Sequence, residues 1–329
     1  MNTKSHLRCI IFTLCFCIVL FGTACQQTES HEATVEIEDE PEVVEIVAMY
    51  DQEANEHLFE LSTEEISSGW TTFRLVNNSP DEHLAQIFKV PEDAGVTANV
   101  WIEDFIVEFQ VIMDRFQDPE IAGMAEAREG VEYPDWVAEI SPRGGPGLII
   151  PGGTAEAMAH LEPGHYIIEC YVKDENEMMH TTLGMAALLI VTDELSGAEE
   201  PEADIELTVS DEGIQSTGTV GAGEHTVQVS FEERDKPSYR NVHLARLDDD
   251  VSREDLQRWM NAWMPGGFVA PAPAEFVGGT GRKPAGHVTY FTVDLTPGDY
   301  AWISEYPIPT EPDPDLEAMG WLKPFTVEQ

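Results

Sequence analysis

Chemistry concentrates in one run of the chain, GHYIIECYVKDENEMMHTTLGMAALLIVT, from Gly164 to Thr192. It reads as a strand carrying Cys170, a loop, then His180, with Met185 opening the next strand after four intervening residues. A thiolate, an imidazole and a thioether on adjoining strand ends are donors for a soft, redox-active ion, copper above all. Each residue also has an ordinary reading. Cys170 on an apolar strand serves equally as a small core residue, His180 as a loop histidine and Met185 as core.

The rest of the chain must position that run. The first residues form an export signal: Lys4 and Arg8 precede the apolar stretch Cys9 to Gly22, too short to span a bilayer comfortably, and Gly22-Thr23-Ala24 offers small residues before Cys25. Cleavage before Cys25 with lipidation of its thiol and ordinary cleavage after Ala24 both fit. The polar, acidic stretch that follows favours lipidation, because it has the composition of a tether from a membrane to a folded domain. The expected organisation is a signal over 1–24, an acidic tether over 25–43, a first domain over 44–195, a linker over 196–203 and a second domain over 204–329. The expected location is the cell envelope, on the outer membrane or the periplasmic face.

The formal net charge is −45, with 62 acidic residues against 17 Lys and Arg. That excludes nucleic acid as a partner, since no basic patch exists to neutralise phosphates. The acids are spread along the chain, as on a heavily hydrated surface; they also offer a docking face to a basic redox partner. Of the five cysteines, Cys9, Cys15 and Cys17 leave with the signal and Cys25 is the lipidation candidate. Cys170 then has no disulfide partner, so it is either buried and inert or a ligand.

The chain also repeats itself. Gly144-Gly145-Pro146-Gly147, Pro163-Gly164-His165-Tyr166 and Cys170 recur as Gly278-Gly279-Thr280-Gly281, Pro297-Gly298-Asp299-Tyr300 and Ser304, all offset by 134 residues. Upstream, His83-Leu84-Ala85 matches His243-Leu244-Ala245. Short runs of alternating or β-branched residues punctuated by Gly and Pro predict a mostly β protein of two tandem Greek-key β-sandwiches. The strongest strands are Trp70 to Val76, Leu84 to Val90, His165 to Val172 and Met185 to Val191. His225 to Phe231, Val288 to Leu295 and Tyr300 to Tyr306 are their counterparts in the second copy. Each copy inserts a helical segment. Ala98 to Phe116 carries an apolar stripe at helical spacing, and Ser252 caps a helix bearing Leu256, Trp259, Met260 and Trp263. The stripes pack across a sheet edge or face a partner or ligand.

PGHYIIEC (Pro163 to Cys170), HTTLGM (His180 to Met185) and VNNSPDEH (Val76 to His83), with the strand plan of each copy, resemble the cupredoxin (plastocyanin-like) family. The resemblance implies a cupredoxin-like fold and one copper ion held by His83, Cys170 and His180, with Met185 as the long axial contact. It also implies electron transfer rather than enzymatic activity. Here nine residues, Tyr171 to Met179, separate Cys170 from His180, a longer interval than that family usually has. The second copy has Ser304 for Cys170, Trp321 for Met185 and Leu316 near the place of His180, yet retains His243. A histidine at that position therefore persists without the other donors, as a structural hydrogen bond would require. The sequence thus leaves two readings. One is an exported, lipid-anchored copper-binding protein; the other is a metal-free tandem interaction module on the cell surface. Hydrolase, phosphate-loop, dinucleotide and zinc-helix motifs are absent. Cys170 is flanked by Glu169 and Tyr171, not by the histidines that wire a multicopper oxidase. The chain is therefore expected not to be an enzyme.

Overall fold

The computed structural model describes residues 41–210, 212–218, 220–232, 239–248, 251–305 and 322–328. The signal, most of the tether, Cys25, Leu316 and Trp321 lie outside the described residues.

Strand-forming sequence in each half assembles in the same order. In the first half β1 (Glu42–Asp51) pairs antiparallel with β2 (Glu56–Leu61) and parallel with β3 (Glu65–Asn77). β4 (Gln86–Val90) pairs with the short β5 (Ser141–Pro142) and with β7 (Gly164–Glu169). β6 (Thr154–Leu161) lies against β3, and β8 (Ala186–Leu195) against β7. The second half repeats the scheme. β9 (Ile205–Ser210) pairs with β10 (Gly213–Thr217) and in parallel with β11 (Gly223–Phe231). β12 (Tyr239–Leu247) lies between β13 (Glu275–Pro284) and β15 (Gly298–Ile303), β14 (Val288–Leu295) lies against β11, and β16 (Leu322–Val327) against β15.

The pattern of burial explains why these segments are strands. Along β1, Val44, Ile46 and Ala48 are fully buried while Glu45 is exposed. Along β9 the buried set is Ile205, Leu207 and Val209. That is the period of two expected of a strand with one face on a core, and each large apolar side chain so buried contributes about 1.5–3 kcal/mol. The opening hairpins, β1–β2 and β9–β10, go beyond the strands singled out from sequence. The expected helix over 98–116 is present, capped by Thr97 Oγ1, which accepts from Val100 N at 3.2 Å, and interrupted by a wider turn over Ile102–Ile106. Trp101, Ile106, Ile112 and Met113 are buried, with Trp101 packed on Phe88 at 5.3 Å. Ser252 caps the helix Arg253–Trp259 by accepting from Asp255 N at 3.0 Å.

The halves join through equivalent residues. β6 and β14 pair antiparallel, Met158 opposite Tyr290, Ala157 opposite Phe291 and Glu156 opposite Thr292. Ala157 and Phe291 are themselves related by the 134-residue offset. The glycine motifs pair the same way: Pro146 bridges its own equivalent Thr280, Gly147 N donates to Gly279 O (3.0 Å) and Gly281 N to Gly145 O (2.8 Å). Each repeat thus meets its copy as the two subunits of a symmetric dimer do.

Close backbone approach explains the glycines. Gly145 has φ +109°, and a Cβ there would sit 2.1 Å from Ala85 O; at Gly279 (φ +126°) it would sit 2.2 Å from Val242 O. Gly152, also at positive φ, has open space around it. Gly145→Ala is expected to lower stability by ~3 kcal/mol or more, and Gly152→Ala by only ~1 kcal/mol, read from urea midpoints. Equal costs at the two positions would show that the close approach is not what constrains Gly145.

Candidate metal centre

The path to the site starts in β7, whose last residues lead into Cys170. Beyond it the long interval folds into a pinched excursion. Lys173 and Met179 form an isolated antiparallel bridge, and Asp174 Oδ1 accepts from both Asn176 N (2.8 Å) and Met178 N (2.9 Å). The chain therefore returns to its starting point. His180 N donates to Val172 O at 2.7 Å and Thr181 N to Cys170 O at 2.9 Å. The extra residues project away without separating Cys170 from His180. Gln110, on the first helical segment, holds the excursion by accepting from Met179 N (3.0 Å) and donating to Glu177 O (3.1 Å).

His83 comes from the other side. Its backbone pairs with Ile149, just after the glycine motif, through His83 N to Ile149 O (3.2 Å) and Ile149 N to His83 O (2.9 Å). Its side chain points at the other two donors. His83 Nδ1 is 3.4 Å from Cys170 Sγ, His180 Nδ1 is 3.8 Å from the same sulfur, and the two Nδ1 atoms are 3.1 Å apart. All three residues are fully buried. Bonds of about 2.0–2.3 Å, as imidazole and thiolate make to a first-row ion, place donors around one centre roughly 3–4 Å apart. The triad fits one ion. The second nitrogen of His83 is held by Ser79 Oγ at 2.8 Å, which fixes the ring with Nδ1 inward. Met185, fully buried, is locked beside both partners: Cys170 N donates to Met185 O (3.3 Å) and Met185 N to His180 O (3.0 Å).

A fourth group was not singled out from sequence. His57, on β2, is buried and stacks on His180 with ring centroids 3.9 Å apart and planes 12° from parallel. Ring nitrogens of His57, His83 and His180 lie within 4.8 Å of one another. Asp81 Oδ2 stands 3.8 Å from Nε2 of both His57 and His180. His180 Nε2 and His57 Nδ1 are buried without a hydrogen-bond partner. No spacing in EHLFEL marks His57; only the pairing that carries β2 past the loop, with His57 N donating to Leu183 O at 3.1 Å, brings it here.

Electrostatically the pocket favours neutral groups. Burial pushes the Cys170 thiol up to about 12, so a metal must displace its proton to gain the thiolate. Burial holds His83 and His180 well below the usual imidazole range, and His57 at about 4. Asp81 is raised by burial and by the nearby Asp174 and Glu175.

The equivalent place in the second half is built differently. His243 Nδ1 accepts from Leu148 N at 3.1 Å, and its Nε2 meets Glu305 Oε1 at 3.1 Å. Ser304 donates to Asn241 Oδ1 at 3.3 Å. Glu305, the equivalent of Tyr171, also bonds Tyr171 itself (2.7 Å) and Arg282 (2.5 Å), and these partners hold its carboxyl down at about 2 despite burial. His243 thus has a structural hydrogen-bond role, bridging the halves.

No family model matches the chain, and no curated protein matches it. Solved structures do. Auracyanin A, a "blue" copper protein from Chloroflexus aurantiacus, is 21% identical, with 46% of this chain and 99% of that one covered at a TM-score of 0.26. The structure itself is mostly β, as expected, with two halves built on one strand plan. A multicopper oxidase is 12% identical over 87% of this chain and 88% of its own, at a TM-score of 0.22. A copper-containing nitrite reductase from Thermus scotoductus is 12% identical over 87% of this chain and 61% of its own, at 0.21. These TM-scores are too low for any residue role to be taken from them. Enzymes nevertheless stand beside a blue copper protein among the similar structures, and this corrects the expectation that the chain is not an enzyme. Missing hydrolase and nucleotide motifs do not bear on redox chemistry, which needs a metal centre and a path for electrons. Among the described residues no helix is long and apolar enough to cross a membrane.

The three depressed histidines set a pH dependence. The unfolded chain takes up protons near pH 6.5 while the folded chain resists them, so their stabilisation is complete above that pH and is lost as pH falls toward 4. His57 alone, at about 4 when folded, should cost the metal-free protein about 1.4 kcal/mol between pH 7.5 and 5.5. Urea unfolding at the two pH values measures it, with a smaller loss expected in His57→Phe. A variant that keeps the full loss would remove His57 as a source.

Proposed function

We propose that the chain is a copper-binding protein of cupredoxin type, exported and lipid-anchored, in which His83, Cys170, His180 and Met185 would hold one copper ion. The observation that carries this reading is the convergence of two imidazole Nδ1 atoms on one buried sulfur at 3.4 and 3.8 Å. Copper, when bound, supplies a one-electron couple. A thiolate and a thioether suit its reduced form and imidazoles suit both forms. The chain's own residues do the rest: Ser79 orients His83, the pinched loop fixes His180, and Cys170 gives up its proton. A buried set of donors held by backbone hydrogen bonds changes little between oxidation states, which suits electron transfer to or from a partner protein. The acidic surface offers a basic redox partner its docking face, and nucleic acid remains excluded by charge. Export and the tether rest on the N-terminal sequence, with Cys25 as the lipid-bearing residue.

Metal-free protein titrated with Cu(II) is expected to bind one equivalent and turn blue through a strong thiolate-to-copper absorption. Cys170→Ser is expected to remove the colour and to weaken binding at least tenfold. Colourless binding unaffected by that substitution, or none at all, would leave the tandem interaction module as the better reading. Separately, metabolic labelling with a radioactive fatty acid is expected to mark the expressed protein and not Cys25→Ser; equal labelling of both would rule out Cys25 as the anchor.

A further inference from the structure

Glu169 and Tyr171, the chain neighbours of Cys170, help line a cavity of about 310 Å³. Its walls are aromatic: Phe105 and Phe109 from the first helical segment, Tyr133 after it, and Trp263 from the second half. The rings meet edge to face, Phe105 with Tyr133 at 5.4 Å and Phe109 with Trp263 at 5.6 Å. The cavity opens to solvent beside Tyr239 and Ala138, both exposed.

Two polar atoms in these walls are unmatched. Tyr133 Oη and Trp263 Nε1 are buried, and neither has a hydrogen-bond partner. Trp263 is only 3% exposed, and its indole N–H can only donate. A buried donor left unpaired costs about 1–3 kcal/mol, and two in one cavity call for a ligand that brings acceptors. Of the other polar groups lining the cavity, Arg128 is exposed to solvent and the buried ones are engaged. Glu169 accepts from Trp101 Nε1 at 2.7 Å, while Tyr171 and Arg282 are committed to Glu305. What is left unmet is an apolar slot with two donors, inside a protein whose net charge of −45 disfavours anions.

We infer that this cavity binds a small, flat, uncharged carbonyl compound of the quinone class, its ring between the aromatic walls and its oxygens on Trp263 Nε1 and Tyr133 Oη. A quinone presents acceptor oxygens at the edge of an apolar ring, as the walls require. The choice of a redox-active carbonyl compound rests on the copper reading, because Glu169 and Tyr171 line the cavity and flank Cys170 in the chain. The binding itself does not need the metal.

The test is calorimetric titration of the full metal-free protein with duroquinone, whose fully substituted ring resists addition by a thiol. Saturable one-to-one binding is expected, weakened about tenfold by Trp263→Phe and about tenfold by Tyr133→Phe, each of which removes a donor while keeping an aromatic wall. Thermal melts confirm that both variants are folded. Cys170→Ser is expected to bind duroquinone as tightly as the parent protein, so the result stands apart from any failure of copper binding. The inference is overturned if duroquinone does not saturate, if neither donor variant weakens it, or if Cys170→Ser abolishes binding.

Discussion

The antiparallel contact between Gly144–Gly147 and Gly278–Gly281 is the constraint on which the rest of the structure depends. It places backbone against backbone, with no room for a side chain at Gly147, where a Cβ would sit 2.7 Å from the carbonyl carbon of Gly279. It welds the halves at the same point on each. It also positions the next residues along: Ile149 pairs with His83, and Leu148 N reaches across to His243. One histidine of each copy is thus held by the motif at the centre. Gln86, next to the first strand pair, sends its amide into the same region, donating to Gly144 O and Arg282 O at 3.1 Å and accepting from Arg282 N at 2.5 Å.

Much of this was legible in the sequence because it is local or repeated. The 134-residue offset relates Ala157 to Phe291 and Pro146 to Thr280, and these pairs are the centres of the contacts between halves. The strands around Cys170 and the cap at Ser252 follow from alternation and hydrogen-bonding chemistry within a few residues. His57 is a different case: its strand lies far from Cys170 in sequence, and only strand pairing stacks it on His180. The long interval between Cys170 and His180 was legible as a length but not as a shape. The bridge from Lys173 to Met179 and the turn at Asp174 make it an excursion with a narrow neck. Nor could spacing reveal the cavity, whose walls come from both halves.

The distribution of charge has two regimes. Outside, acids are spread over the whole surface and repel one another, an effect that salt screens within about 10 Å at 0.1 M ionic strength. Inside, the three histidines and Cys170 are neutral, Lys173 and Lys283 rest on backbone carbonyls, and one further set of buried groups is bonded together. Glu305, Arg282, Tyr171 and His243 form that set at the junction between halves. Breaking one member of it strands the others, and such losses typically cost 3–5 kcal/mol.

The second half contributes none of the three converging donors, yet it grips the excursion that delivers one. Lys173 is buried with its ammonium on Ala262 O (2.8 Å), its N–H on Phe268 O (2.8 Å) and its carbonyl accepting from Ala270 N (3.0 Å). Those three partners all belong to the other repeat. The half without the converging donors thus acts as an external splint for the half that has them. The rigidity of His180 is then a property of both halves together, so that a loosened contact in one is felt as slackness in the other.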